Sequence, residues 1–165
     1  MTPRTKWSLR ASPRIISKFF GAEGAFFGDL EAAYVAVMGH VWMLRKQPGQ
    51  VPGADADAEE TSGERIDEAD LLAAYVGLCN SMPFIKLLSL YAPSVAGGQF
   101  DLSARHVAPI PVPDLQLMSL APDTGRAVRE LAVLGREVRI PSAEWEQRAN
   151  ALTSYLYGGV DFDAI

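Results

Sequence analysis

The sequence holds one cysteine, two histidines and no long apolar run, and each shortage removes a class of protein. Cys79 alone can close no internal disulfide, which fits a reducing, cytoplasmic setting. His40 and His106 lie far apart and, with a single thiol, spell no zinc site. No apolar stretch approaches the roughly 18–20 residues that span a bilayer. The opening "MTPRTKWSLR" leads into no apolar signal-peptide core, so no membrane partner is expected. The phosphate-cradling G-x-x-x-x-G-K-[ST], the dinucleotide G-x-G-x-x-G and the nucleophile elbow G-x-S-x-G are all missing. No catalytic residue, metal or cofactor is therefore expected in this chain.

What is present is ordinary in amount and uneven in placement. Hydrophobic residues make up 48% and charged residues 21%, enough for a packed core in 165 residues. The net charge of −5 argues against nucleic acid until its distribution is followed. Residues 51–70 carry eight acids against Arg65 alone, a local −7 that leaves the other 145 residues at +2. Residues 1–50 hold seven bases and three acids. Blocks of opposite sign can occupy different faces, so a basic binding surface stays open. The acidic run lacks the ordered spacing of a calcium loop and is expected to be a solvated, flexible connection over 47–66.

Local patterns predict an α+β fold. "RIISKFF" (14–20) follows Pro13 and is rich in β-branched and aromatic residues, as a strand is; "AFFGD" gives a second, short one. "AYVAVMGHVWMLRK" (33–46) is read as a longer strand or hairpin arm, with a helix over 30–44 as its rival. A long helix is expected from about Asp67, which can cap the first turn, with Leu71, Leu72, Tyr75, Val76, Cys79 and Met82 on one buried face. Pro83 is expected to kink or divide it before "FIKLLSLY". "GGQFDLSARHVAPIPVPDL" (97–115) is read as irregular, because prolines at every second position suit neither a helix nor an interior strand. Two antiparallel helices should follow. One starts at Pro122 with Val128, Leu131 and Val138 on a stripe; the other starts at Ser142, aligns Trp145, Ala149, Leu152 and Leu156, and is ended by Gly158 and Gly159. The whole is a small, mostly antiparallel sheet packed with a long helix over 1–115, then a helical hairpin over 116–165.

Three stretches, in order, resemble a known family. "SPRIISKFFGAEGAFFGDLEAAYVAV" is similar to a Pro-Lys-Ile-Ile strand followed by an aromatic strand and a hairpin. "LLAAYVGLCNSMPFIKLLSLYAPSVAGGQFDLSARHVAPIPVPDL" is similar to a helix with an Asn-Ser pair, a glycine pair, an aromatic strand and an Ile-Pro-hydrophobic-Pro exit. "EQRANALTSYLYGGVDFDAI" is similar to a closing helix with a Leu-Tyr-Gly ending. Together they resemble the C-terminal target-recognition region of N6-adenine DNA methyltransferases of restriction-modification and phage-defence systems. That family's catalytic Asn-Pro-Pro-Tyr motif and glycine-rich cofactor loop are absent here.

The resemblance thus implies a recognition subunit without an active site. It would work on double-stranded DNA beside a separate methyltransferase that supplies S-adenosylmethionine. Arg10, Arg14, Lys18, Arg45 and Lys46 are the most concentrated bases near the strands, and Gln99, Arg105 and His106 are polar groups in the exit segment. Arg and Lys suit phosphates, while Arg and Gln suit base edges, so these eight are the candidate DNA contacts. Arg14 and Lys18, four apart, would share one strand face. Two other readings stand beside this one: a structural adaptor that touches no DNA, and an acidic DNA mimic built on residues 51–70.

Overall fold

A computed structural model describes residues 12–22, 25–34, 39–44, 66–137 and 142–164. The fold is α+β, as the patterns predict, but among the described residues its strands form two sheets instead of one. β1 (Arg14–Ser17), β3 (Phe26–Asp29) and β4 (His40–Trp42) make an antiparallel sheet in the order β3-β1-β4. β2 (Phe20–Gly21), β5 (Ser94–Val95) and β6 (Gln99–Asp101) make a second in the order β2-β6-β5. The apolar run expected as one strand over 14–20 therefore divides at Lys18 and Phe19 and feeds both sheets. Of the strand expected over 33–46, only β4 pairs among the described residues; residues 35–38 and 45–46 lie outside them, as does nearly all of the acidic loop.

Among the described residues six helices follow: α1 (Glu68–Cys79), α2 (Met82–Tyr91), α3 (Ala104–Val107), α4 (Leu115–Met118), α5 (Pro122–Glu137) and α6 (Ala143–Leu156), then a 3-10 turn at Phe162–Ala164. Asp67 caps α1 by accepting the Asp70 N–H at 2.7 Å. Pro83 ends that helix and sits in the first turn of α2, where a missing N–H costs nothing. The two helices are bent by 71° to one another, and among the described residues no single helix is long and apolar enough to cross a membrane.

α1 is buried on more than the single face expected. Ala73, Ala74 and Gly77 are covered along with Leu71, Leu72, Val76 and Leu78, while Tyr75 and Cys79 are half-buried and Met82 is exposed. A helix apolar on all sides belongs in the middle of a core. The first sheet covers it on one side, where Gly28 of β3 faces Val76; α5 covers it on the other. Small residues make the α1–α5 crossing close. A Cβ on Gly135 would stand 1.8 Å from the Ala73 carbonyl oxygen, and one on Gly77 would stand 2.8 Å from that of Leu131.

α6 runs back along α5. Trp145 Nε1 donates to the Leu134 carbonyl at 2.9 Å and Arg148 bonds Glu130 at 2.7 Å, so rising numbers on one helix meet falling numbers on the other. Ser142 caps α6 through the Trp145 N–H. Gly158 and Gly159 end it with φ of 79° and 74°, and the Gly159 N–H reaches back to Ser154. Val138 lies outside the described residues, and the α5 stripe is completed by Leu134 and Gly135. Core residues from the sheets, from α1 and from the helical hairpin form one contiguous cluster.

The segment read as irregular is more regular than its prolines suggest. Gly97 and Gly98, at φ of 80° and 71°, turn a hairpin between β5 and β6, a conformation that needs no Cβ. A single helical turn, α3, follows. The proline part is then held at two carbonyls: Tyr75 of α1 donates its hydroxyl to Pro113 at 3.2 Å, and Tyr157 donates to Pro111 at 2.9 Å. Burial pushes both phenols up from their usual pKa. The same interior pushes the Cys79 thiol up to about 12, so it behaves as a small apolar side chain.

Candidate nucleic-acid interface

The seam between the two sheets brings basic and aromatic side chains together. Lys18, Phe19 and Phe20 cross from one sheet to the other and are all exposed. The Phe19 carbonyl accepts the Leu102 N–H at 2.9 Å, and Phe20 lies directly opposite Asp101 in the second sheet. Cross-strand partners point to the same face, and so does the residue two positions along. Phe20, Asp101 and exposed Gln99 therefore share one face of that sheet.

Asp101 organises the rest. Its Oδ1 accepts the Ser103 N–H at 2.9 Å, and its Oδ2 accepts from Arg105 at 3.2 Å with His106 Nε2 3.5 Å away. The Ser103 hydrogen bonds, then Arg105 and His106, hold its carboxyl below the usual carboxylate range. Arg105 Nε in turn donates to His106 Nε2 at 3.0 Å. The guanidinium is 75% exposed, with further N–H donors facing water. On the other side of the seam the Phe19 ring packs edge-on against His40 at 5.1 Å, and His40 packs against Trp42 at 6.0 Å. Trp42 is pinned by a 2.9 Å bond from its indole N–H to Ser17 Oγ.

Four of the eight sequence candidates, Lys18, Gln99, Arg105 and His106, thus flank one seam. Arg14 does not join them. It is buried, its Nε donates to Asp29 Oδ2 at 2.8 Å, and its guanidinium also reaches the Tyr34 carbonyl. Asp29 additionally accepts the Ala33 and Tyr34 N–H groups, so this buried pair ties β1 to β3 and to the turn after it. Arg10, Arg45 and Lys46 lie outside the described residues. Phe19, Phe20 and His40 were not among the candidates. "SKFFG" carries the signal that could have found two of them: adjacent strand residues face opposite ways, so two successive phenylalanines cannot both enter one core.

Two other places bear on the chemistry. An open cavity of about 310 Å³ lies between the turn after β3 and the end of α5. Of its charged walls, Asp29 is committed to Arg14 and Arg136 to Asp70 at 2.6 Å, and Glu31 is exposed. Among the described residues no three of His, Cys, Asp and Glu are grouped to hold a metal ion. Compared with family models, curated proteins and solved structures, the chain matches none of them.

Proposed function

We propose that this protein is a DNA target-recognition subunit that works beside a separate N6-adenine methyltransferase. The observation that supports DNA recognition is the seam, where exposed Lys18 and Arg105 stand with exposed Phe19, Phe20 and Gln99 at the junction of the two sheets. Cations give grip on phosphates, and Gln and Arg can read base edges. The adenine methyltransferase, and the S-adenosylmethionine it would bind, rest on the resemblance of the three sequence stretches. An enzyme that modifies a base must extrude it from the duplex, so a subunit that holds the flanking DNA has a clear use.

The test is methyl transfer to adenine from labelled S-adenosylmethionine by the partner that copurifies with the chain. Transfer should depend on adding this subunit; equal methylation without it would contradict the proposal.

A second reading, a structural adaptor, is favoured by the outer face of the first sheet. Register places Ile16, Phe27 and Val41 on the side away from α1, with Phe27 and Tyr34 exposed and packed edge-on at 5.6 Å. Charge reversal at Lys18 and Arg105 separates the two, because an adaptor would keep its activity. Arg14 is unsuited to that test, since reversing it would break a buried ion pair.

A further inference from the structure

We infer that the seam binds unpaired bases by stacking, so that its preferred ligand is nucleic acid with exposed base faces and not the closed duplex. This rests on the reading of the seam as a nucleic-acid interface and goes further in naming which part of the ligand it holds.

The argument begins with exposure. Phe19 and Phe20 are 42% and 48% exposed and adjacent in the chain, a costly placement for two apolar rings. Neither ring hangs on a loose loop. Phe20 sits in a strand paired to β6, and the backbone of Phe19 is bonded to Leu102. Behind Phe19 the His40 and Trp42 rings form a row, and the Ser17 hydroxyl fixes the end of that row. An exposed ring whose backbone is held by strand pairing loses little conformational freedom when a base stacks on it.

Charge selects the occupant. The patch has Lys18 on one flank and, on the other, the 75% exposed Arg105 fork beside the Asp101 carboxylate that it bonds. Asp101, the carboxylate beside Arg105 and His106, is spent on Ser103 and Arg105. Lys18 has no ion-pair partner among the described residues, so a polyanion is the natural counter-charge. Aromatic faces combined with cations that track a phosphate backbone are the arrangement that holds unpaired strands with little sequence preference. In a closed duplex the base faces are covered by their neighbours, and the two phenylalanines would have nothing to stack on.

The experiment compares three labelled DNA probes of equal length by fluorescence anisotropy: a single strand, a duplex, and a duplex with a central unpaired bulge. The full-length chain should bind the single strand and the bulge more tightly than the closed duplex. Phe20→Ala and Phe19→Ala should each weaken the first two by about tenfold, within the range for losing one base–aromatic stack, and leave the duplex nearly unchanged. Phe20→Leu and Phe19→Leu keep the apolar bulk and remove the π face, so they report on stacking even if an alanine variant folds poorly. Equal affinity for all three probes, or phenylalanine variants that bind the unpaired probes as well as the parent, would overturn stacking. In that case duplex binding lost on Lys18→Glu would still uphold the interface. Failure to bind any probe would overturn both.

Discussion

Arg14 shows how a single charged side chain can be structural despite its type. Its guanidinium is buried beside the Asp29 carboxylate, which also accepts the Ala33 and Tyr34 N–H groups. Removing one member of such a pair leaves the other charged and dry, which costs about 3–5 kcal/mol. Arg14→Met should therefore lower stability by about that amount in urea denaturation, and the Arg14→Met/Asp29→Leu double variant should recover much of it. A loss under about 1 kcal/mol for the single variant would show that water reaches the pair. The sequence made Arg14 a DNA candidate because strand alternation says which residues share a face without saying what covers that face. Its partner is 15 positions away, and only the β1–β3 register brings Asp29 opposite it. Asn80 was legible in a similar half-way sense. The Asn-Ser pair stood out as a motif, but its work is visible only in three dimensions, where the amide exchanges bonds of 3.2 and 2.8 Å with the backbone of Phe26 and fastens the end of α1 to β3.

At the scale of elements, helix ends were easy to read and helix faces were not. Asp67, Pro83, Ser142 and the Gly158–Gly159 pair mark boundaries by local chemistry, and local chemistry is what a sequence displays. The burial of α1 depends instead on Ala73, Ala74 and Gly77, residues whose small size gives no hydrophobic stripe yet permits a close helix crossing. Gly135→Ala tests that crossing. The added methyl would stand 1.8 Å from the Ala73 oxygen, so α1 and α5 must separate. A loss of about 1–3 kcal/mol or more is expected, read as a lower denaturation midpoint; an unchanged midpoint would mean that the helices part without cost. The exit segment was half legible. Its prolines do act as a connector, but the glycine turn and the strand β6 depend on pairing with β5 and β2, which no local pattern reveals.

For the whole molecule, the acidic total hides a division of labour among charges. Arg14, Lys86, Arg136 and Arg148 are paired to carboxylates from distant parts of the chain. Lys18 and most of the Arg105 fork face solvent at the seam between the sheets. The α+β class and the C-terminal helix pair could be read from periodicity, whereas the seam could not, because it joins residues 18–20 to residues 99–106 through a ladder between distant segments.

The central claim, that this seam holds DNA, is tested most directly by anisotropy of a labelled duplex over a salt series, with the parent chain and the Lys18→Glu/Arg105→Glu double variant. The account predicts an affinity that falls steeply with salt in the parent. In the variant, binding should be weaker by at least roughly tenfold, with a salt slope shallower by about two phosphate contacts and an unchanged denaturation midpoint. Equal affinities and equal slopes for the two proteins would contradict it.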